Sequence, residues 1–136
     1  MRITIISLLF TCMLLPLGCV NKNVSQARLG QEFFLAIGQA INITGEDLKV
    51  KFIEVVEDSR CPSDVECLWE GKVSCIIELS QNGITDKTVL TQPGLIDGYA
   101  VERYRLYELK YRIEPYPEST KKINSSDYRL LLTFSK

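Results

Sequence analysis

Residues 48–79 read LKVKFIEVVEDSRCPSDVECLWEGKVSCIIEL, in which two apolar segments flank a polar loop that contains two cysteines. Every second residue of the latter segment is apolar; these residues are Val73, Cys75, Ile77 and Leu79. Such a period of two is typical of a half-buried β-strand. The first segment alternates in the same way, but its phase changes at Ile53, which predicts a β-bulge. The stretch therefore predicts two strands joined by a cysteine-containing loop.

Alternating segments recur along the rest of the chain. Residues 107–113 and 128–134 place an apolar side chain at every second position, and residues 31–43 indicate one or two strands broken near Gly38. Residues 86–90 are a shorter candidate, whereas residues 91–102 have no pattern and are predicted to be a loop. Roughly six to eight short strands predict an all-β fold, an antiparallel β-sandwich of immunoglobulin-like or similar type, with a small barrel as the alternative.

The N-terminus has the features of an export signal. Arg2 precedes an apolar run from residue 3 to residue 17, which is shorter than the roughly 20 residues that a membrane-spanning helix needs. The run ends in LPLGC, residues 15–19, which resembles the bacterial lipobox, with Pro16 where leucine is usual. The resemblance implies cleavage after residue 18 and lipidation of Cys19; an ordinary secretory signal is the alternative. Val20 in place of aspartate resembles lipoproteins of the outer membrane that face the periplasm.

The domain boundaries follow from that signal. Removal of residues 1–18 leaves 136 − 18 = 118 residues, which is the size of one domain. Residues 19–30 are predicted to be a tether, and residues 31–136 are predicted to form a single β-sandwich domain. The chain has 16 basic and 17 acidic residues without a basic cluster, which argues against a nucleic-acid partner. The expected partners are the membrane, through Cys19, and a protein or other envelope component.

Export places the remaining cysteines in an oxidising compartment, where close pairs form disulfides. Cys61 and Cys67 are separated by PSDVE, which contains turn-forming residues, so we predict a disulfide between them. Cys75 lies on the apolar face of its predicted strand and is expected to be buried. The alternative is a metal site built from all three thiols. Because the chain has no histidine and no CxxC spacing, we predict neither a metal nor another cofactor.

The other side chains of the cysteine loop allow several roles. We predict that Trp69 packs on the disulfide or caps one end of the sandwich, with an exposed binding anchor as the alternative. Arg60 is expected to pair with a nearby carboxylate. A calcium site is a less favoured use of the carboxylates, whose spacing is not that of an EF-hand. The residues predicted to form a binding loop are Arg60, Asp64, Glu66 and Trp69.

Residues 58–71 resemble a signature of small uncharacterised bacterial secreted or lipid-anchored proteins. Its pattern is DSRCP, four residues, then C-x-W-x-G, and this chain has Glu70 where a small residue is usual. The resemblance supports the fold and the compartment but implies no activity.

No catalytic arrangement is apparent in the sequence. The lack of histidine excludes Ser/His and Cys/His nucleophile pairs, and no glycine-rich phosphate loop is present. A carboxylate pair of the glycosidase type is not excluded by composition. We therefore expect a non-enzymatic, lipid-anchored envelope protein that binds a partner through residues 58–72 and 91–102. The alternatives are a loop-based protease inhibitor and a purely structural envelope lipoprotein.

Overall fold

Two β-sheets stack face to face in the described part of the chain, residues 25–95 and 98–136 of a computed structural model. The predicted signal peptide, the predicted lipidation site Cys19 and the first part of the predicted tether lie outside the described residues. The described residues form nine strands and one short 3-10 helix: β1 (Ser25–Ala27), β2 (Phe33–Ala36), β3 (Ala40–Ile43), β4 (Leu48–Asp58), β5 (Lys72–Gln81), β6 (Ile84–Pro93), β7 (Ala100–Tyr104), β8 (Tyr107–Glu114), the 3-10 helix Ser125–Asp127 and β9 (Arg129–Ser135).

The first sheet has the strand order β1-β3-β4-β5-β6, and the second has the order β2-β9-β8-β7. Only the pairing of β1 with β3 is parallel among the described strands. The predicted antiparallel β-sandwich is thus confirmed. The barrel alternative is wrong, because the strands divide into two sheets that do not close on each other.

The core lies between the two sheets and is built from the predicted alternation. The central strands β5, β8 and β9 turn every second side chain inward, and these include Val73, Cys75, Ile77, Leu79, Leu109, Tyr111, Ile113, Leu130, Leu132 and Phe134. Cys75 is fully buried, as predicted, and loss of hydration raises the pKa of its thiol to about 12. A thiol in this state is an inert core residue.

Two predicted irregularities are confirmed. The register of β4 against β5 shifts between Phe52 and Glu54, where the change of phase predicted a bulge, and shifts again before Glu57. The chain breaks between β2 and β3 at Gly38, whose φ of 84° lies in the region that favours glycine.

Two strands were not predicted, and both lie at sheet edges. Strand β1 falls inside the range predicted as tether, and it is too short and polar to have a recognisable alternation. Strand β7 falls partly inside the predicted loop 91–102 and exposes most of its side chains, so it also lacks alternation. Strand β6 continues to Pro93 and β7 begins at Ala100, so both strands extend into the predicted loop.

Three connections meet at one end of the sandwich, which we call the loop end. They are the β4–β5 connection, the β6–β7 connection and the segment between β8 and β9. The register places Asp58 opposite Val73 and Lys72 opposite Pro93, so the first two connections are neighbours. The tight turns between β3 and β4, between β5 and β6 and between β7 and β8 lie at the opposite end.

Two glycines allow the backbones to approach closely at the loop end. Gly71 has a φ of 73°, and a Cβ placed on it would lie 1.9 Å from the carbonyl oxygen of Ser59. A Cβ on Gly94 would lie 1.9 Å from the carbonyl oxygen of Glu70. The backbone N–H of Gly94 donates to the carbonyl of Gly71 at 2.9 Å, which joins the two connections directly.

We expect Gly71→Ala to destabilise the protein more than Gly45→Ala, as measured by urea unfolding. Gly45 has a similar φ of 83° but nothing within 4 Å of a Cβ, so its replacement introduces only backbone strain of about 1–2 kcal/mol. Gly71→Ala adds a backbone clash to the same strain. Equal losses of unfolding free energy would contradict the close packing at Gly71.

Candidate functional site

The connection between β4 and β5, residues 59–71, is the candidate site and is called the disulfide loop below. Cys61 and Cys67 are joined by a disulfide with 6.0 Å between their α-carbons, as predicted. A ring of this size restricts the unfolded chain only modestly, by about 2 kcal/mol. The disulfide therefore mainly limits the shapes that the outer part of the loop can adopt.

A buried arginine holds the base of the loop. Arg60 is 4% exposed, and its Nε and Nη2 donate to the Asp58 carboxylate at 2.8 and 2.6 Å. Its Nη1 and Nη2 also donate to the carbonyl oxygens of Ile113 and Pro115, at 2.8 and 2.9 Å. The guanidinium lies over the ring of Tyr116, 5.1 Å from the centroid. Arg60 thus connects β4 in the first sheet to the end of β8 in the second.

Asp58 has a second partner in the opposite sheet. The hydroxyl of Tyr128, which immediately precedes β9, donates to the Asp58 carboxylate at 3.0 Å. Burial, together with the negative charge of Asp58, raises the pKa of Tyr128 to about 12. The hydroxyl therefore remains protonated and able to donate at any physiological pH.

The outer part of the loop rests on the segment between β8 and β9. The Asp64 carboxylate accepts hydrogen bonds from the backbone N–H of Ser119, at 2.8 Å, and from its hydroxyl. These hydrogen bonds lower the pKa of Asp64. The backbone N–H of Ser63 donates to the carbonyl of Pro117 at 3.0 Å. Asp64 is therefore a structural contact of the loop, although its surface remains exposed.

The apolar side chains of the loop point away from the protein. We call Val65, Leu68 and Trp69 the apolar tip: Val65 is 46% exposed, Trp69 is 62% exposed and Leu68 is fully exposed. This exposure contradicts the prediction that Trp69 is buried as a cap on one end of the sandwich and fits the alternative of an exposed side chain. At the base of the loop, Arg60 rather than the indole packs against an aromatic ring, that of Tyr116.

The structure separates the four residues predicted to form a binding loop. Arg60 is buried in the ion pair and is not accessible to a partner. Asp64, Glu66 and Trp69 are exposed, and Asp64 is the one among these three with a side-chain hydrogen bond to the neighbouring segment. Glu66 and Trp69 are thus the predicted residues that remain free to contact another molecule.

The metal alternatives do not fit this geometry. Cys75 is buried in the core, whereas Cys61 and Cys67 are bonded to each other, so a site with three thiols is wrong. Asp58 and Asp64 bind different partners. Within residues 25–95 and 98–136, no three side chains of His, Cys, Asp or Glu converge in a way that could hold a metal ion.

Several residues that shape the site have no local sequence signal. Ser119, Tyr116 and Tyr128 lie far along the chain from the loop that they support. Gln92 is another: its buried side chain accepts from the backbone N–H of Ile113 at 2.7 Å and donates to the carbonyl of Gly98 at 2.6 Å. It links the connection between β6 and β7 to the second sheet.

Comparison with protein-family models, with curated proteins and with solved structures found no match to this chain. In the described parts of the chain, no helix has the length and apolar character needed to cross a membrane.

We expect Arg60→Ala to lower the free energy of unfolding by about 3–5 kcal/mol, because it leaves Asp58 without its charged partner at a largely buried position. Denaturant unfolding measures this loss. The matched control is Lys72→Ala, which breaks the neighbouring ion pair with Glu57, whose side chains are 43% and 44% exposed. Exposed pairs of this kind contribute at most about 1 kcal/mol. Similar losses in both variants would contradict the structural role of Arg60.

Proposed function

We propose that this protein is a lipid-anchored component of the bacterial cell envelope that acts as a non-catalytic binding module. Its anchor is an acylated Cys19, its location is the outer membrane facing the periplasm, and its contact surface is the apolar tip of the disulfide loop. The partner is an envelope component.

The observation that carries the proposal is the exposure of Trp69 and Leu68 on a loop that is held at both its base and its outer part. Large apolar side chains at the centre of an exposed patch are typical of binding surfaces, and tryptophan is enriched among the residues that dominate binding energy. The disulfide and the Asp64 contacts reduce the freedom that the loop loses on binding. This preorganisation favours tight binding by a small surface.

The state of the cysteines favours binding over catalysis. Both thiols of the loop are consumed by the disulfide, and the buried Cys75 has a raised pKa that keeps it protonated. The absence of histidine from the chain removes the usual general base at neutral pH.

The backbone of the loop argues for a binding surface rather than a substrate-like inhibitor of proteases. A loop that occupies a protease cleft offers an extended backbone, whereas this loop turns between residues 62 and 65. The backbone N–H of Val65 donates to the carbonyl of Pro62 at 3.3 Å across that turn. The exposed Trp69 also argues against a purely structural envelope protein, because such a role requires no exposed binding residue.

Photo-cross-linking in living cells tests the binding function. A photoreactive amino acid at position 68 is expected to yield a discrete adduct with an envelope component, because this side chain is fully exposed on the apolar tip. The matched control is position 106, a leucine that is 78% exposed in the turn between β7 and β8 at the opposite end. Adducts of equal yield from both positions, or from neither, would contradict the proposal.

The same cells provide the test of the anchor. Cys19→Ser removes the acylated sulfur and should transfer the protein from the membrane fraction to the soluble fraction. Unchanged partitioning of this variant would contradict lipidation without bearing on the loop.

A further inference from the structure

We infer that the envelope component contacted by the apolar tip is the surface of the bilayer that holds the protein's own lipid anchor. The inference rests on the proposed acylation of Cys19. It assigns a second membrane contact to Val65, Leu68 and Trp69, which then fix the orientation of the sandwich on the membrane.

The direction of β1 is the first observation. Strand β1 runs parallel to β3 and therefore antiparallel to β4, whose last residue, Asp58, leads into the disulfide loop. The first residue of β1, Ser25, is thus the one closest to the loop end, and the strand runs away from that end. The residues before β1, which include the proposed anchor Cys19, therefore join the domain at the end of β1 that is nearer to the disulfide loop.

The length of chain between anchor and domain is the second observation. Ser25 is aligned with Ile41, and Ile41 with Val50, which is paired with Leu79 of β5. From Leu79 to Val73, at the base of the loop, is 79 − 73 = 6 residues, or about 20 Å of strand.

The part of the tether between Cys19 and Ser25 has about the same maximum length. Cys19 precedes Ser25 by 25 − 19 = 6 residues, which span at most about 20 Å when fully extended. An acylated Cys19 in the bilayer therefore holds the base of the loop within reach of the headgroups. The disulfide loop lies at this end of the sandwich, where its exposed tip can contact the membrane surface.

The chemistry of the tip suits the membrane interface. Tryptophan concentrates at the boundary between headgroups and acyl chains because its ring is apolar and its N–H is polar. Leu68, adjacent to it in sequence, has no contact in the protein that would be lost by insertion. A rigid loop inserts these side chains with little loss of conformational freedom.

The charges near the tip restrict the kind of lipid surface. Glu66 and Glu70 flank Leu68 and Trp69, and both carboxylates are on exposed residues. The one basic residue of the disulfide loop, Arg60, is buried in its ion pair with Asp58. Lys121 of the neighbouring segment lies near Asp64, but the two carboxylates adjacent to Leu68 and Trp69 disfavour an anionic surface at the tip itself, so we assign the contact to zwitterionic phospholipid.

Fluorescence of the full-length acylated protein in vesicles tests the inference, because Trp69 is the only tryptophan in the chain. Protein purified in detergent is reconstituted into vesicles of phosphatidylcholine, with or without bromine on the acyl chains. We expect the emission of Trp69 to shift to shorter wavelength on reconstitution and to be quenched by the brominated lipid. Leu68→Asp should reduce both effects, whereas Leu106→Asp, at the opposite end, should leave them unchanged.

The outcomes separate the inference from the proposal on which it rests. Mass spectrometry and vesicle flotation report acylation and membrane attachment independently of Trp69. An attached protein whose Trp69 emission is not quenched would overturn the membrane contact and leave the lipid anchor standing. A protein that is neither acylated nor attached would overturn both. A protein adduct from position 68 in cells, in place of a phospholipid adduct, would also overturn the inference and favour a protein partner.

Discussion

The buried ion pair between Arg60 and Asp58 is the interaction on which the loop end depends. A guanidinium removed from water is tolerated only when its donors are satisfied, and this one has the Asp58 carboxylate and two backbone carbonyls. These acceptors belong to both sheets, and Tyr128 adds a further link from the second sheet to Asp58. The pair therefore joins the two layers at the position where the disulfide loop leaves the sandwich.

The same constraint explains why the apolar tip is exposed. Arg60 lies over the ring of Tyr116 at the base of the loop, and the backbones at Gly71 and Gly94 are in direct contact, so the loop end is held together without the indole. The disulfide closes the outer loop, and Asp64 attaches it to Ser119. A loop fixed at its base and at its side presents Leu68 and Trp69 outward in one arrangement. This arrangement supports the proposed binding role and, if Cys19 is acylated as proposed, the proposed contact with the membrane.

The sequence predicted those parts of the protein in which one face of a strand is buried. Strands β5, β8 and β9 were recognisable because their inward residues alternate with polar ones, whereas β1 and β7 have little buried surface and no such pattern. The disulfide was predictable from the spacing of its cysteines together with the predicted export signal. The partners of Arg60 were not, since Ile113 and Pro115 lie more than fifty residues away in the chain. Trp69 was expected to be packed because of its residue type and its position two residues after Cys67, and neither feature predicts its exposure.

Solvent access to Trp69 in the folded, unlipidated protein is the most direct test of this account. Acrylamide quenching of the Cys19→Ser protein in buffer without detergent measures that access for a single tryptophan. With 62% of its surface exposed, Trp69 should have a quenching constant of at least about half that of the urea-unfolded chain. A Trp69 that is shielded in the folded protein, and becomes quenchable only on unfolding, would contradict the outward presentation of the tip.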